Sequence, residues 1–370
     1  VKSSRIYFID IVRAFAILMM LQGHFIHTFL GNTYGDLNPT IFRIWSYFRG
    51  ITAPIFFTIS GLIFTYLLLK SKEKGTEKYR MKKGITRGFM LIGIGYLIRI
   101  PFVQWFSGKF NSKFIAIDVL QCIGVSLLLI VSLYFLSAKK TIVFSLITLG
   151  IGVLIFLFEP LYRTLNIEVI PEFLGNYISK NNGSIFTVLP WFGYSSFGAF
   201  IATLFYWNLD KPHFKKTMIF SFFFCGIFLI FYSSSTLIKL YNQTDIQLFK
   251  SVAYYNYLYA RLGDVLICFA FFYSLEQYLK HPVILKIGEK TLSIYIIHFI
   301  IIYGSFIQFG LQHFIEKNLN PWQSAIGAIL FLVGVCLIAF YYKKPISYLY
   351  TTIASYKIKK RLISILPNKL

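Results

Sequence analysis

Residues Arg5 to Leu30 read RIYFIDIVRAFAILMMLQGHFIHTFL, a stretch apolar enough to cross a bilayer yet carrying Asp10, Arg13, Gln22, His24 and His27 inside it. A charged side chain at the bilayer centre costs about 2.5–3.5 kcal/mol on insertion scales, so it needs a partner or a wet cavity and marks a functional site by default. At 100° per residue, the roughly eleven steps from Arg13 to His24 return the side chain to within about 20° of its starting direction, about 16 Å farther along the axis. Asp10 and His27 fall near the same stripe. The helix thus presents a cation in one half of the membrane and an imidazole in the other, joined by an apolar track that suits a long ligand with a charged end and a reactive end. The structural alternative is an Asp10–Arg13 pair that only locks helix packing and a His24 satisfied within the bundle.

Composition agrees with a membrane location. The 370 residues are 56% hydrophobic, 19% aromatic and 14% charged, which places the chain among all-α polytopic membrane helix bundles rather than soluble domains. The net charge of +23 does not point to nucleic acid, because Lys and Arg cluster in short connections between apolar segments, where positive-inside topology puts them. Cys122, Cys225, Cys268 and Cys336 stand apart in apolar runs, and neither a disulfide framework nor a metal site is indicated. The first apolar stretch lacks the core and cleavage site of a signal peptide and is expected to be retained.

Outward from the first helix, the pattern predicts about ten transmembrane helices with both termini cytoplasmic: 6–30, 45–70, 88–106, 117–136, 142–158, 185–206, 218–238, 254–275, one following KIGEK at 286–290, and 323–342. The connection KSKEKGTEKYRMKKGITR (70–87) holds eight Lys and Arg residues, among them Lys82, Lys83 and Arg87, and is fixed as cytoplasmic. Topology alone explains it; a landing site for a phosphorylated cofactor is the sharper reading. Arg49 on the second helix, together with Asp118 and Gln121 at the start of the fourth, is expected at the depth of His24, where a carboxylate could orient the imidazole. Arg99 precedes Pro101. The outer segment 159–184 is long enough to be functional. Pro190 and the small residues of FTVLPWFGYSSFGAF imply a local break or close packing. Arg261 and Asp264, one turn apart, neutralise one another. His298 falls in the cytoplasmic half of the ninth helix. Residues 1–344 form the transmembrane domain, and 345–370 form a basic amphipathic tail along the inner membrane surface. No internal repeat is visible, which disfavours a transporter.

The first helix, IDIVRAFAILMMLQGH, resembles the opening of the transmembrane acyl transferase superfamily, whose mark is an arginine and a histidine separated by ten residues. ITAPIFFTISG (51–61), DVLQCIG (118–124), LPWFGYSSFGAF (189–200) and LSIYIIH (292–298) also look like that superfamily, in the same order and over most of the chain. The likeness is greatest to its bacterial heparan-α-glucosaminide N-acetyltransferase-like branch. Ala14, after Arg13, resembles the acyltransferase-3 branch instead. Animal lysosomal members carry asparagine at the position of His24 and a catalytic histidine in the following loop. GNTYGDLNPT (31–40) has no histidine, so His24 would take that role, with His27 in reserve.

The resemblance implies transfer of an acyl group, in the first instance acetyl, from cytoplasmic acyl-CoA to a hydroxyl or amine of an extracytoplasmic glycan or glycolipid, in a bacterial cytoplasmic membrane and without a metal. On that reading His24, Arg13 and Asp118 are the catalytic candidates. Lys82, Lys83 and Arg87 attract the CoA phosphates, and Arg13 and His298 line the donor channel. Arg49, Arg99, Gln121 and His27 meet the acceptor. The competing class is a transporter or flippase for a lipid-linked sugar or an anion, using the same buried charges as a pathway; a membrane sensor or scaffold has only the basic tail in its favour.

Overall fold

A computed structural model describes residues 5–32, 39–109, 112–163, 171–180 and 183–342. Ten principal helices among them build the molecule: α1 (Tyr7–Phe29), α2 (Pro39–Glu73), α3 (Glu77–Leu97), α4 (Val119–Leu136), α5 (Thr141–Leu157), α6 (Val188–Asn208), α7 (Phe214–Thr244), α8 (Tyr257–Ser274), α9 (Thr291–Tyr303) and α10 (Pro321–Tyr341). Six of these, α1, α2, α4, α6, α7 and α10, are long and apolar enough to cross a membrane, and α5 and α9 are shorter apolar helices. The chain is an all-α polytopic membrane bundle. Apart from an isolated bridge between Leu30 and Leu319, the described residues hold no β-structure. The segment 345–370 lies outside the described residues.

Packing without water depends on close approach of backbones and on hydrogen bonds between helices rather than on hydrophobic driving force. The α2–α6 contact shows both. A Cβ on Gly61 would overlap the Ser195 carbonyl, and one on Gly198 would overlap that of Thr58. Ser195 donates its hydroxyl to the Phe57 carbonyl at 3.1 Å, and Ser196 donates to the Thr148 carbonyl of α5 at 2.8 Å. The small residues of 189–200 are therefore an interface, and the break expected at Pro190 is present: Leu189 leaves helical geometry (φ −95°, ψ 124°), as a residue before proline tends to.

Several expected boundaries move. The basic run 70–87 is mostly helix: α2 carries Lys70 and Lys72 into its last turn, the chain reverses with Gly75 at φ +66°, and α3 begins at Glu77 rather than near Gly88. Lys, Arg and Glu are good helix formers, and a helix need not stop where hydrocarbon does. At its other end α3 stops at Leu97, and Phe102–Phe106 forms a separate short helix, because Pro101 lacks a backbone donor and restrains the residue ahead of it. α7 is longer than expected and carries a π-helical turn at Phe228–Tyr232.

α1 sits at the centre, against α2, α8, α9 and α10. At its start Phe8 is fully buried, with ring centroids 5.8 Å from Phe205 and 4.4 Å from Tyr273. Towards its end Phe25 packs on Phe331 of α10 at 5.4 Å. The buried side of the helix is thus clamped at both ends.

Candidate functional site

α1 and α9 lie side by side in the same direction, with polar contacts near both ends. Arg13 donates from Nη2 to Thr291 Oγ1 at 2.6 Å, and His24 Nδ1 lies 2.9 Å from the Tyr303 hydroxyl. Between these contacts the rings of His24 and His298 are 5.3 Å apart. Arg13 and His24 share a helix face, as their spacing requires, but each opens into its own cavity.

The cavity at the Arg13 end has a volume of about 150 Å³. α3 contributes Arg80, Lys83 and Arg87 to its wall, and residues three and four apart share one helix face. Lys82, one step round from Lys83, does not line it. Arg80, one of the eight basic residues of 70–87 but not among the three singled out there, has its Nε buried without a hydrogen-bond partner among the described residues. Arg13 is only partly neutralised: Asp10 stands 2.7 Å from Arg5 but 3.5 Å from Arg13. Arg5 lies ahead of α1, and its hydrogen bond to Asp10, with a further contribution from Glu289, holds its pKa above the usual arginine value. The basin thus gathers guanidinium and ammonium groups suited to phosphate oxygens.

The cavity at the other end is larger, about 820 Å³, and His24, His27, Arg49, Arg99 and Asp118 line it together with Trp191, Tyr257 and Tyr303. Polar groups around an aromatic-rich hollow fit a polyhydroxylated ligand better than a lipid tail. The two basins adjoin. They meet at a wall common to both, made of Met20, Phe56, Val119 and Tyr295.

Several expected roles change with these positions. Asp118 is in the cavity with His24, but Arg99 holds one of its oxygens at 2.8 Å and the Val119 amide holds the other at 2.7 Å, as the N-cap of α4. The group bonded to the imidazole is Tyr303. Gln121 is buried, completes that capping box and packs on Gly95, and it does not line the cavity. His298 is fully buried against His24 and Tyr295, with no hydrogen-bond partner at either ring nitrogen among the described residues, and lines neither cavity. The sequence placed it in the donor channel, whereas the parallel register of α1 and α9 sets it beside the imidazole. Arg261 pairs with Asp264 at 3.0 Å, and Tyr47 donates its hydroxyl to the same carboxylate.

The family model described as the catalytic region of heparan-alpha-glucosaminide N-acetyltransferase matches residues 5–243. That span includes Arg13, His24, the basic face of α3 and Asp118, and it ends before α9. No curated protein matches the chain. A match over more than half of the chain, with the arginine and the histidine of α1 each opening into a cavity, makes this protein a member of the heparan-alpha-glucosaminide N-acetyltransferase family of transmembrane acetyltransferases.

Proposed function

We propose that the protein takes an acetyl group from acetyl-CoA on the cytoplasmic side and delivers it to a hydroxyl or amine of a glycan or glycolipid on the far side of a bacterial cytoplasmic membrane. The observation that carries this reading is the pair of basins on α1, one cationic and one holding His24, with a shared wall of four residues. The positive-inside rule supports assigning the basic turn at 74–76 and both termini to the cytoplasm.

In the donor basin, Arg13, Arg80, Lys83 and Arg87 would hold the phosphates; the unpartnered Nε of Arg80 is the kind of donor such a ligand satisfies. The thin pantetheine arm would thread past Met20 and Tyr295, and acetyl-CoA would supply the activated acyl group. In the acceptor basin, His24 acts as general base. A base at Nε2 requires the ring proton on Nδ1, which then donates to the Tyr303 oxygen, so that bond sets the tautomer. His24 Nε2 takes the proton of the attacking hydroxyl or amine, the new C–O or C–N bond forms at the thioester carbon, and the C–S bond breaks to release CoA thiolate. Transient acetylation of His24 reaches the same products in two steps. His27 and Arg99 line the same basin, Arg99 by way of its pair with Asp118.

Purified protein in detergent, given radiolabelled acetyl-CoA with a glycan acceptor, is expected to release CoA, and His24→Ala is expected to lose that release. Equal release from both proteins would overturn the catalytic role. No release, combined with uptake of an anion or a lipid-linked sugar into vesicles, would favour a transporter built on the same charges.

A further inference from the structure

Three arginines of the bundle interior have a carboxylate partner, whereas Arg80, Lys83 and Arg87 of the small basin and Arg49 of the large one have none among the described residues. Arg13 has Asp10, Arg99 has Asp118 and Arg261 has Asp264, each within 3.5 Å. Arg49, half-buried in the wall of the large basin, has no carboxylate among the described residues; its guanidinium instead lies over the Trp45 ring, 5.0 Å from the centroid.

The surroundings of Arg49 are built to hold it there. Gly23, the residue before His24, leaves room for its methylenes: a Cβ at that position would come within 2.9 Å of Arg49 Cγ and Cδ. Trp45 is itself fixed, donating Nε1–H to Gln22 Oε1 at 2.7 Å, and Gln22 in turn donates to the Met19 carbonyl at 3.0 Å. Gln22 and Gly23 on α1, with Trp45 on α2, thus press the arginine stem against the helix that carries His24. Stacking occupies one face of a guanidinium and leaves its five edge N–H groups free to donate. None of them finds a protein acceptor among the described residues. A side chain merely seeking the membrane surface would extend away from the bundle, whereas this one is laid across α1 and lines the cavity.

We propose that Arg49 is a specificity-determining residue that binds a fixed anionic group, a carboxylate, sulfate or phosphate, on the same acceptor whose hydroxyl or amine His24 activates. This rests on the reading of the large basin as the acceptor site and adds the charge that the acceptor carries. Planar arginine forks match all three oxyanions bidentately, and the anion gives Arg49 the charge balance that Arg99, in the same basin, obtains from Asp118.

The test uses four soluble probes that differ in one substituent: glucosamine, its 6-phosphate, its 6-sulfate and its 6-carboxylate. Each is titrated into the purified full chain with calorimetry or thermal shift as readout, and separately into the acetyl-transfer assay. Wild-type protein is expected to prefer at least one charged probe over glucosamine by about ten- to hundredfold, and the preferred probe identifies the anion. Arg49→Gln is expected to bring the charged-to-neutral ratio to near one, and Arg49→Lys to keep part of the preference. Size-exclusion and melting curves confirm that the variants remain folded. Wild-type protein with no preference for charge, whether it binds all four probes or none, overturns the proposal. So does an Arg49→Gln variant that weakens charged and neutral probes equally, the pattern of a role on the developing oxyanion or in packing. A charge-dependent binding that vanishes in Arg49→Gln while no probe is acetylated upholds the subsite and counts against the enzymatic reading, so the two failures are distinguishable.

Discussion

The imidazole of His24 and the hydroxyl of Tyr303, 2.9 Å apart, join the end of α1 to the end of α9. The contact makes the orientation of the candidate base depend on a residue that lies beyond the span matched to the family. Tyr303→Phe keeps the ring and removes the bond. Loss of a single hydrogen bond is worth about 0.5–1.5 kcal/mol, so acetyl transfer is expected to fall about two- to tenfold, while His24→Ala loses about 10²–10⁴-fold. Steady-state CoA release by both variants, each checked by size-exclusion, measures this; a Tyr303→Phe enzyme at full rate would remove the tyrosine from the mechanism.

The donor basin predicts a helical pattern in the response to neutralisation. Arg80→Gln, Lys83→Gln and Arg87→Gln, which alter the face of α3 towards the cavity, are each expected to raise the KM for acetyl-CoA about three- to tenfold, with an effect that shrinks at high salt. Lys82→Gln alters a residue outside the cavity wall and is expected to leave KM unchanged. Four equal responses would mean that the cluster acts only through its overall field.

Asp118 is bound to Arg99 and to the first amide of α4. Asp118→Ala removes both contacts and leaves a buried cation unpaired, a change that costs about 3–5 kcal/mol. Its melting temperature in detergent is therefore expected to drop sharply, and Asp118→Asn, which keeps an N-cap oxygen, is expected to recover part of the loss. A normal melting curve for Asp118→Ala with abolished activity would return Asp118 to a direct catalytic role.

Close approach of α2 and α6 predicts that Gly198→Ala, whose new methyl would overlap the Thr58 carbonyl, destabilises the fold by about 1–3 kcal/mol. Gly93→Ala on α3 meets nothing within 4 Å and is expected to be neutral or slightly stabilising, by up to about 1 kcal/mol. Thermal melts of the two variants side by side check the difference.

Much of the architecture was legible in the sequence because a bilayer enforces it. Long apolar runs separated by basic clusters located all ten principal helices, and Pro190 and the serines and glycine around it announced the break and the interface. The ends of helices were less legible, since hydropathy reports where hydrocarbon ends and not where helical hydrogen bonding ends; hence the early start of α3 at Glu77. Within the site, the spacing of Arg13 and His24 was informative because ionisable groups are costly in a membrane. Tyr303, Thr291 and Tyr295 gave no such signal, being ordinary residues in an apolar helix. Gln121 looked like a ligand for the same reason that it works as a cap, a polar side chain at a membrane helix start, and sequence does not distinguish the two. Arg80 was counted in the basic run but not singled out with Lys83 and Arg87, because their common face could be seen only once α3 was known to begin three residues before Arg80.

The four residues common to both basins, Met20, Phe56, Val119 and Tyr295, include no ionisable side chain other than one phenol. A ligand long enough to reach from one basin into the other would therefore pass apolar side chains and a single phenol rather than a relay of acids and bases.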